Sequence, residues 1–276
     1  MYRFLRFPEW KYKALTLSYD DDTVFDKKLV EILDKYGLKC TFNLNSELYA
    51  KSAGGRTMTE DETTELLKNS KHEIAIHGAK HLSLAEVPAD VATRDVIADR
   101  ENLEKQFGRI IKGMAYANGS YNDTAVEILK NCGIKYARTC VATNAFEIPT
   151  DWLRMPSTCH HTVQNLDALT DEFLSGKEGG YFWGNSPKLF YMWGHAYEFN
   201  DNNNWEIIEN FAKKVGNRDD IWYCTNGEVY DYCQAYNRLE YSVDGKTIKN
   251  PTDTDIYLCY YNKNIVVKAC GVYKAE

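Results

Sequence analysis

No stretch of this 276-residue chain approaches the roughly 18 consecutive apolar residues of a membrane-spanning helix, so no span is predicted. Positive charge is scarce: 33 lysines and arginines face 40 aspartates and glutamates, for a net charge of −7. That balance argues against nucleic acid as a partner, because binding its backbone needs a basic face. The first residues, Met1-Tyr2-Arg3-Phe4-Leu5-Arg6-Phe7-Pro8, have neither the apolar core nor the small-residue cleavage site of a signal peptide. None of the eight cysteines forms a C-x-x-C pair, which removes zinc-ribbon and thioredoxin-type motifs. Most lie in apolar runs such as Cys40-Thr41-Phe42-Asn43-Leu44 and are read as buried, reduced thiols. With no leader visible, the expected compartment is the cytoplasm. Internal repeats and low-complexity segments are also absent.

What is present is an alternation. With 44% hydrophobic residues the chain can bury a large core. Strand-like runs fall near 14–19, 39–44, 72–77, 112–117, 134–140, 188–194 and 221–224. Helical patterns lie between them, at 24–36, from Thr59, and at 89–107, 122–131, 204–215 and 226–236; several stop at a glycine. Such strand–helix repetition predicts a parallel α/β architecture, open or closed. From about 238 the pattern changes. Asp244-Gly245 and Asn262-Lys263-Asn264 each separate two strand-like runs, which predicts a β-hairpin appendage over 238–276 beside a body spanning 1–237. Aromatic residues reach 13%, and runs such as Gly180-Tyr181-Phe182-Trp183-Gly184 suit either core packing or stacking on sugar rings.

Two places carry chemistry. The first strand runs into Asp20-Asp21-Asp22 and the third into His77-Gly78-Ala79-Lys80-His81. The acids alone fit a solvated turn capping the next helix. Together with two histidines at ligand spacing they also fit a metal site, one carboxylate binding the ion while its neighbour accepts a proton. His72, at the far end of its strand, reads as structural. In Cys159-His160-His161, adjacent histidines of an extended chain point to opposite sides, so they are not expected to share a metal; one of them, His161, is a candidate for the cleft.

Tyr19-Asp20-Asp21 and His77-x-x-x-His81 resemble the first two motifs of the polysaccharide deacetylase family, carbohydrate esterase family 4. Tyr116-Ala117-Asn118-Gly119 resembles its Tyr-Pro-x-Gly turn, with Ala117 replacing the proline, and Met192-Trp193-Gly194-His195 resembles its Leu-x-x-His motif. The four occur in family order. The resemblance implies an α/β fold, a distorted barrel of the (β/α)7 type, with the site at the C-terminal ends of the strands. It implies Asp21, His77 and His81 as ligands of one divalent ion, zinc first and cobalt or nickel next, with Asp20 as general base and His195 as general acid. The turn at Tyr116, Asn118 and Gly119 would stabilise the oxyanion, Met192 would line the acetyl pocket and Trp193 would wall it. Asp22 stands where the family has glycine. The family arginine that pairs with the base does not precede Tyr116; Arg138 and Arg154 are the substitutes, with Arg154 preferred. The implied reaction is removal of acetyl groups from a saccharide, an N-acetylhexosamine unit first or an O-acetylated xylan-type sugar second; a binding or regulatory protein on the same barrel is a further reading.

Overall fold

The computed structural model describes residues 3–176 and 185–275. The aromatic run at 180–184 lies outside the described residues. In chain order the first half comprises β1 (Arg3–Arg6), β2 (Lys13–Asp20), α1 (Asp26–Lys35), β3 (Cys40–Leu44), α2 (Glu60–Leu67), β4 (Glu73–Ile76), α3 (Ala89–Phe107), β5 (Gly113–Ala115) and α4 (Asp123–Asn131). There follow β6 (Tyr136–Ala142), β7 (Met155–Ser157), β8 (Cys159–His160), α5 (Leu166–Ser175), β9 (Lys188–Gly194), α6 (Ala196–Asp201), α7 (Glu206–Val215), β10 (Ile221–Tyr223) and α8 (Asn226–Asn237). The last strands are β11 (Glu240–Tyr241), β12 (Thr247–Lys249), β13 (Ile256–Tyr260), β14 (Lys263–Val267) and β15 (Val272–Lys274).

The central sheet is parallel, in the order β7-β6-β5-β4-β3-β2-β9-β8. Its two ends are one piece of chain. Residues 155–157 pair with β6, residues 159–160 pair with β9, and the Thr158 N–H between them donates to Tyr191 O at 2.8 Å. The path therefore returns on itself through a strand that changes partner midway, a distorted ring in which β10 pairs with the first residues of β2. Sequence patterning missed this closing strand, because Met155-Pro156-Ser157 carries a proline and no apolar run. All eight residues of β2 are buried, the mark of a strand covered on both faces. Leu15, Leu17 and Tyr19 face the helices, in one cluster with Phe190 and Met192 of β9. Thr16, Ser18 and Asp20 alternate to the barrel interior, where Thr16 bonds Asn226 and Ser18 bonds Asn43.

The helices begin and end where local chemistry dictates. Thr59 and Glu62 form a capping box on α2, and Thr225 and Glu228 form one on α8. The first turn of α8 closes the N-terminal end of the barrel: the Gly227 N–H donates to Glu73 Oε2 at 2.7 Å, and a Cβ at 227 would lie 2.2 Å from Glu73 Oε1. Both predicted hairpins form, β11–β12 and β13–β14. The division at 237/238 is corrected in one respect: β1 pairs antiparallel with β13, so the N-terminal strand belongs to the C-terminal sheet. That sheet packs through Leu5, Leu258 and Val267 into a cluster shared with Ala14, Leu189 and Met155, residues at the N-terminal ends of barrel strands. The appendage thus covers the end opposite the strand C-termini. All eight cysteines are unpaired and six are buried. Among the described residues, no helix is long and apolar enough to cross a membrane.

Leu17 is fully buried and Ile110 is 79% exposed. Leu17→Ala is expected to lower unfolding free energy by about 2–5 kcal/mol in urea titrations, while Ile110→Ala stays within about 0.5 kcal/mol of the parent.

Candidate active site

Because the strands are parallel, the loops that follow β2, β4, β5 and β9 open at one rim. There Asp21 leaves β2 with φ 79° and Asp22 follows at φ 49°. This left-handed bend turns Asp21 out of the strand's alternation, and Asp tolerates it better than most residues. Asp21 Oδ1 lies 3.6 Å from His77 Nε2 and 3.5 Å from His81 Nε2. For bonds of 2.0–2.1 Å, tetrahedral geometry separates ligand atoms by about 3.3–3.4 Å, so the donor set fits a zinc-type ion.

The histidines are held from behind. His77 Nδ1 lies 2.8 Å from Ala115 O, so that nitrogen carries the proton and donates, leaving Nε2 free toward Asp21. Burial lowers the pKa of the His77 ring more than Asp20 and Asp21 raise it, which keeps the imidazole neutral, as a ligand must be. Asp99 of α3 accepts from the His77 and Ser46 N–H groups, and Asp95, one turn earlier, accepts from the Lys80 N–H. Asn45 donates to the His77 and Gly78 carbonyls. Sequence reading missed these supports. Their signal was two acids four apart on an otherwise amphipathic helix.

Asp20 is buried at the centre of the rim. Its Oδ1 accepts from Asn43 Nδ2 at 2.8 Å, and its Oδ2 is paired with Arg138. Burial alone would raise its pKa, but Arg138, then His77, His195 and Asn43, hold the carboxyl below the usual aspartate value. The preference for Arg154 is corrected here. Arg154 sits outside the barrel, bonded to Asp151 and Asp123. Arg138 is fully buried in β6, with its guanidinium 4.0 Å from the Trp193 ring centre. Both arginines follow strand-like runs; only the barrel interior distinguishes them.

His195 follows β9, its Nε2 3.8 Å from both Asp20 and Asp21 and its Nδ1 3.1 Å from Glu198 Oε2. Burial pulls its pKa down, but the Glu198 bond and the two aspartate charges outweigh that and leave it above the ordinary imidazole value. Asp20 and His195 Nε2 therefore flank one volume.

The remaining expectations divide. Asn118 (φ 56°) is exposed at the rim, with Nδ2 donating to Ser83 Oγ at 3.0 Å, and Gly119 follows at φ 63°. The Gly119 and Ser120 N–H groups bond Tyr116 O and Ala117 O, so those of Ala117 and Asn118 are the pair not committed to the turn. The Tyr116 side chain does not line the cleft: it is buried, with its hydroxyl donating to Leu153 O. Met192 is corrected too. It is fully buried on the helix-facing side of β9, and by alternation Trp193 is the residue that turns inward. His161 does not reach the cleft either, being 1% exposed; His160, its neighbour, lies nearer the surface against Trp193. Asp22 turns from Asp21, His77 and His81 to accept from Thr63, and burial pushes its pKa up to about 7. His72 is structural, as read: Nδ1 accepts from the Cys40 N–H, and burial takes its pKa down to about 4.

A barrel with this rim defines a class: an α/β protein with an aspartate–histidine–histidine group beside a clasped carboxylate. Residues 9–137, a little under half of the chain, match the family model "Polysaccharide deacetylase". Among solved structures it is similar to a Mycobacterium smegmatis protein assigned to the polysaccharide deacetylases (16% identity, 84% of this chain, 94% of that one, TM-score 0.61). It is also similar to a family 4 acetyl xylan esterase from Clostridium thermocellum solved with a cobalt ion (17% identity, 79% and 91%, TM-score 0.50). A Streptococcus pyogenes deacetylase solved with acetate aligns at 25% identity over 45% of this chain, TM-score 0.42; the chain spans about half of it, 55%. No curated protein matches the chain.

Arg138→Met is expected to leave Asp20 buried without its countercharge, costing about 3–5 kcal/mol in denaturant unfolding, whereas Arg154→Met leaves the midpoint close to the parent's. Equal midpoints for the two variants would contradict the assignment of Arg138 as the partner.

Proposed function

We propose that this protein is a metal-dependent hydrolase that removes acetyl groups from a carbohydrate, with N-acetylhexosamine units as the first substrate class. The observation that carries this reading is the paired arrangement at the rim: a metal-ligand trio within 3.6 Å contacts of Asp21, and an ionised Asp20 facing His195 across one volume. Asp21, His77 and His81 would hold the ion. When bound, it supplies Lewis acidity and lowers the pKa of water from about 16 towards 7.

The chain's own residues do the rest. Asp20, kept ionised by Arg138 and Asn43, accepts the proton of the water that attacks the acetyl carbon. The Ala117 or Asn118 N–H donates to the developing oxyanion. His195, oriented by Glu198, gives a proton from Nε2 to the departing nitrogen or oxygen. Trp193 fixes the Arg138 plane and forms the wall beside them. O-acetyl esters of xylan-type sugars are the second substrate class, because none of these groups selects the leaving atom.

Acetate release from N- and O-acetylated sugars, assayed with zinc, cobalt and nickel, tests the reading. Asp20→Asn is expected to keep the metal and lose turnover by about 10²-fold or more, and His77→Ala to lose both. Release from none of the sugars by metal-loaded protein would sink the proposal.

The pH profile gives a second test. His195 works protonated, so activity is expected to fall as pH rises through its pKa, which the Glu198 bond holds above 6.5. Glu198→Gln removes that upward pull, and the alkaline limb of kcat should move to lower pH. An unmoved limb would assign the acid elsewhere.

A further inference from the structure

We propose that His160, His161 and Glu198 form a second divalent-cation site, for a zinc-, nickel- or cobalt-type ion, distinct from the Asp21–His77–His81 group.

The extended alternation that should separate two adjacent histidines fails here because β8 ends at His160 and the chain turns at His161. Both rings therefore bring Nε2 to the same carboxylate oxygen: Glu198 Oε2 lies 3.2 Å from His160 Nε2 and 3.3 Å from His161 Nε2. These ligand atoms all lie within 4.8 Å of one another. The spacing is long for charge-assisted hydrogen bonds, which run about 2.7–2.9 Å. It matches the edge of about 3.3–3.4 Å set by bonds of 2.0–2.1 Å in a tetrahedral site.

Hydrogen bonding alone also leaves the group over-subscribed. Oε2 already accepts from the His195 N–H at 3.2 Å and meets His195 Nδ1 at 3.1 Å, and a carboxylate oxygen offers about two lone-pair directions. His161, 1% exposed, makes no well-aligned hydrogen bond from either ring nitrogen; the nearest acceptor is Glu198 Oε2, 3.3 Å from Nε2. A buried imidazole held this loosely against a carboxylate is costly unless something joins them.

The ring cannot turn away to find another partner. It is stacked on Phe199 at 4.1 Å and lies near Tyr19 at 5.7 Å, flat against Gly194, where a Cβ would come within 2.0 Å of Nδ1. His160 Nδ1 is held by Thr162, with Oγ1 at 2.8 Å and the backbone N–H donating at 3.3 Å, which aims Nε2 at Glu198. Its partial exposure gives the ion access. Two imidazoles and one carboxylate select zinc-like ions over magnesium or calcium. The site does not depend on the deacetylase reading, although Glu198 links the two places through His195.

Zinc stoichiometry, by equilibrium dialysis with elemental analysis on the full chain, tests the proposal. The parent is expected to bind two equivalents. His81→Ala and His160→Ala should each retain one, and the double variant none. The surviving ion in His81→Ala, exchanged for cobalt, should show the intense visible band of a four-coordinate centre. A parent that binds one equivalent, lost in His81→Ala and kept in His160→Ala, would overturn the second site. One equivalent kept in His81→Ala and lost in His160→Ala would uphold it and instead defeat the first. His160→Gln serves as a second variant should the alanine protein fail to fold; its circular dichroism is the check.

Discussion

A buried ion pair between Asp20 and Arg138 ties together two strands that lie far apart around the barrel. Three strands separate β2 from β6 in one direction, and β9 with the closing segment in the other, so the pair crosses the interior. In so dry a place neither charge is tolerable alone. The aspartate stays ionised because the arginine is there, and the arginine stays in place because Trp193 covers its face. The protonation state on which the proposed chemistry rests is thus a property of the closed ring.

Around that clasp the rim departs from regular backbone. Asp21, Asp22, His81 and Asn118 all have positive φ, a conformation that costs non-glycine residues of order 1–2 kcal/mol each. They are held by the layer behind: Asp95 and Asp99 on α3, Asn43 in β3 and Asn45 just after it, and the Ala115 carbonyl at the end of β5. The carboxylate and imidazole atoms of the rim are set by a rigid scaffold, the arrangement that the proposed chemistry requires.

Much of this was legible in the residues. The alternation located most of the barrel strands to within a few residues, and the Asp-Gly signal located the first terminal hairpin. What failed to show was long-range pairing. Residues 155–160 contain a proline and short side chains, so no pattern betrays a strand that serves two partners. The Arg3–Arg6 strand is too short and too charged to announce that it joins a sheet formed more than 250 residues later. Motif position alone predicts Met192 in the pocket; the two-residue period of its own strand puts it on the other face.

The residues alone set the chemistry available: which acids and histidines stand at strand ends, in what order, and that one carboxylate and two imidazoles can hold an ion. Those are properties of local spacing. Tertiary structure decided the assignments. It chose Arg138 over Arg154 as the partner of Asp20, buried His161 while leaving His160 near the surface, and turned Asp22 away from Asp21, His77 and His81. Each choice depends on which side of a closed wall a side chain meets, and that is fixed only when strands distant in the chain pair in register.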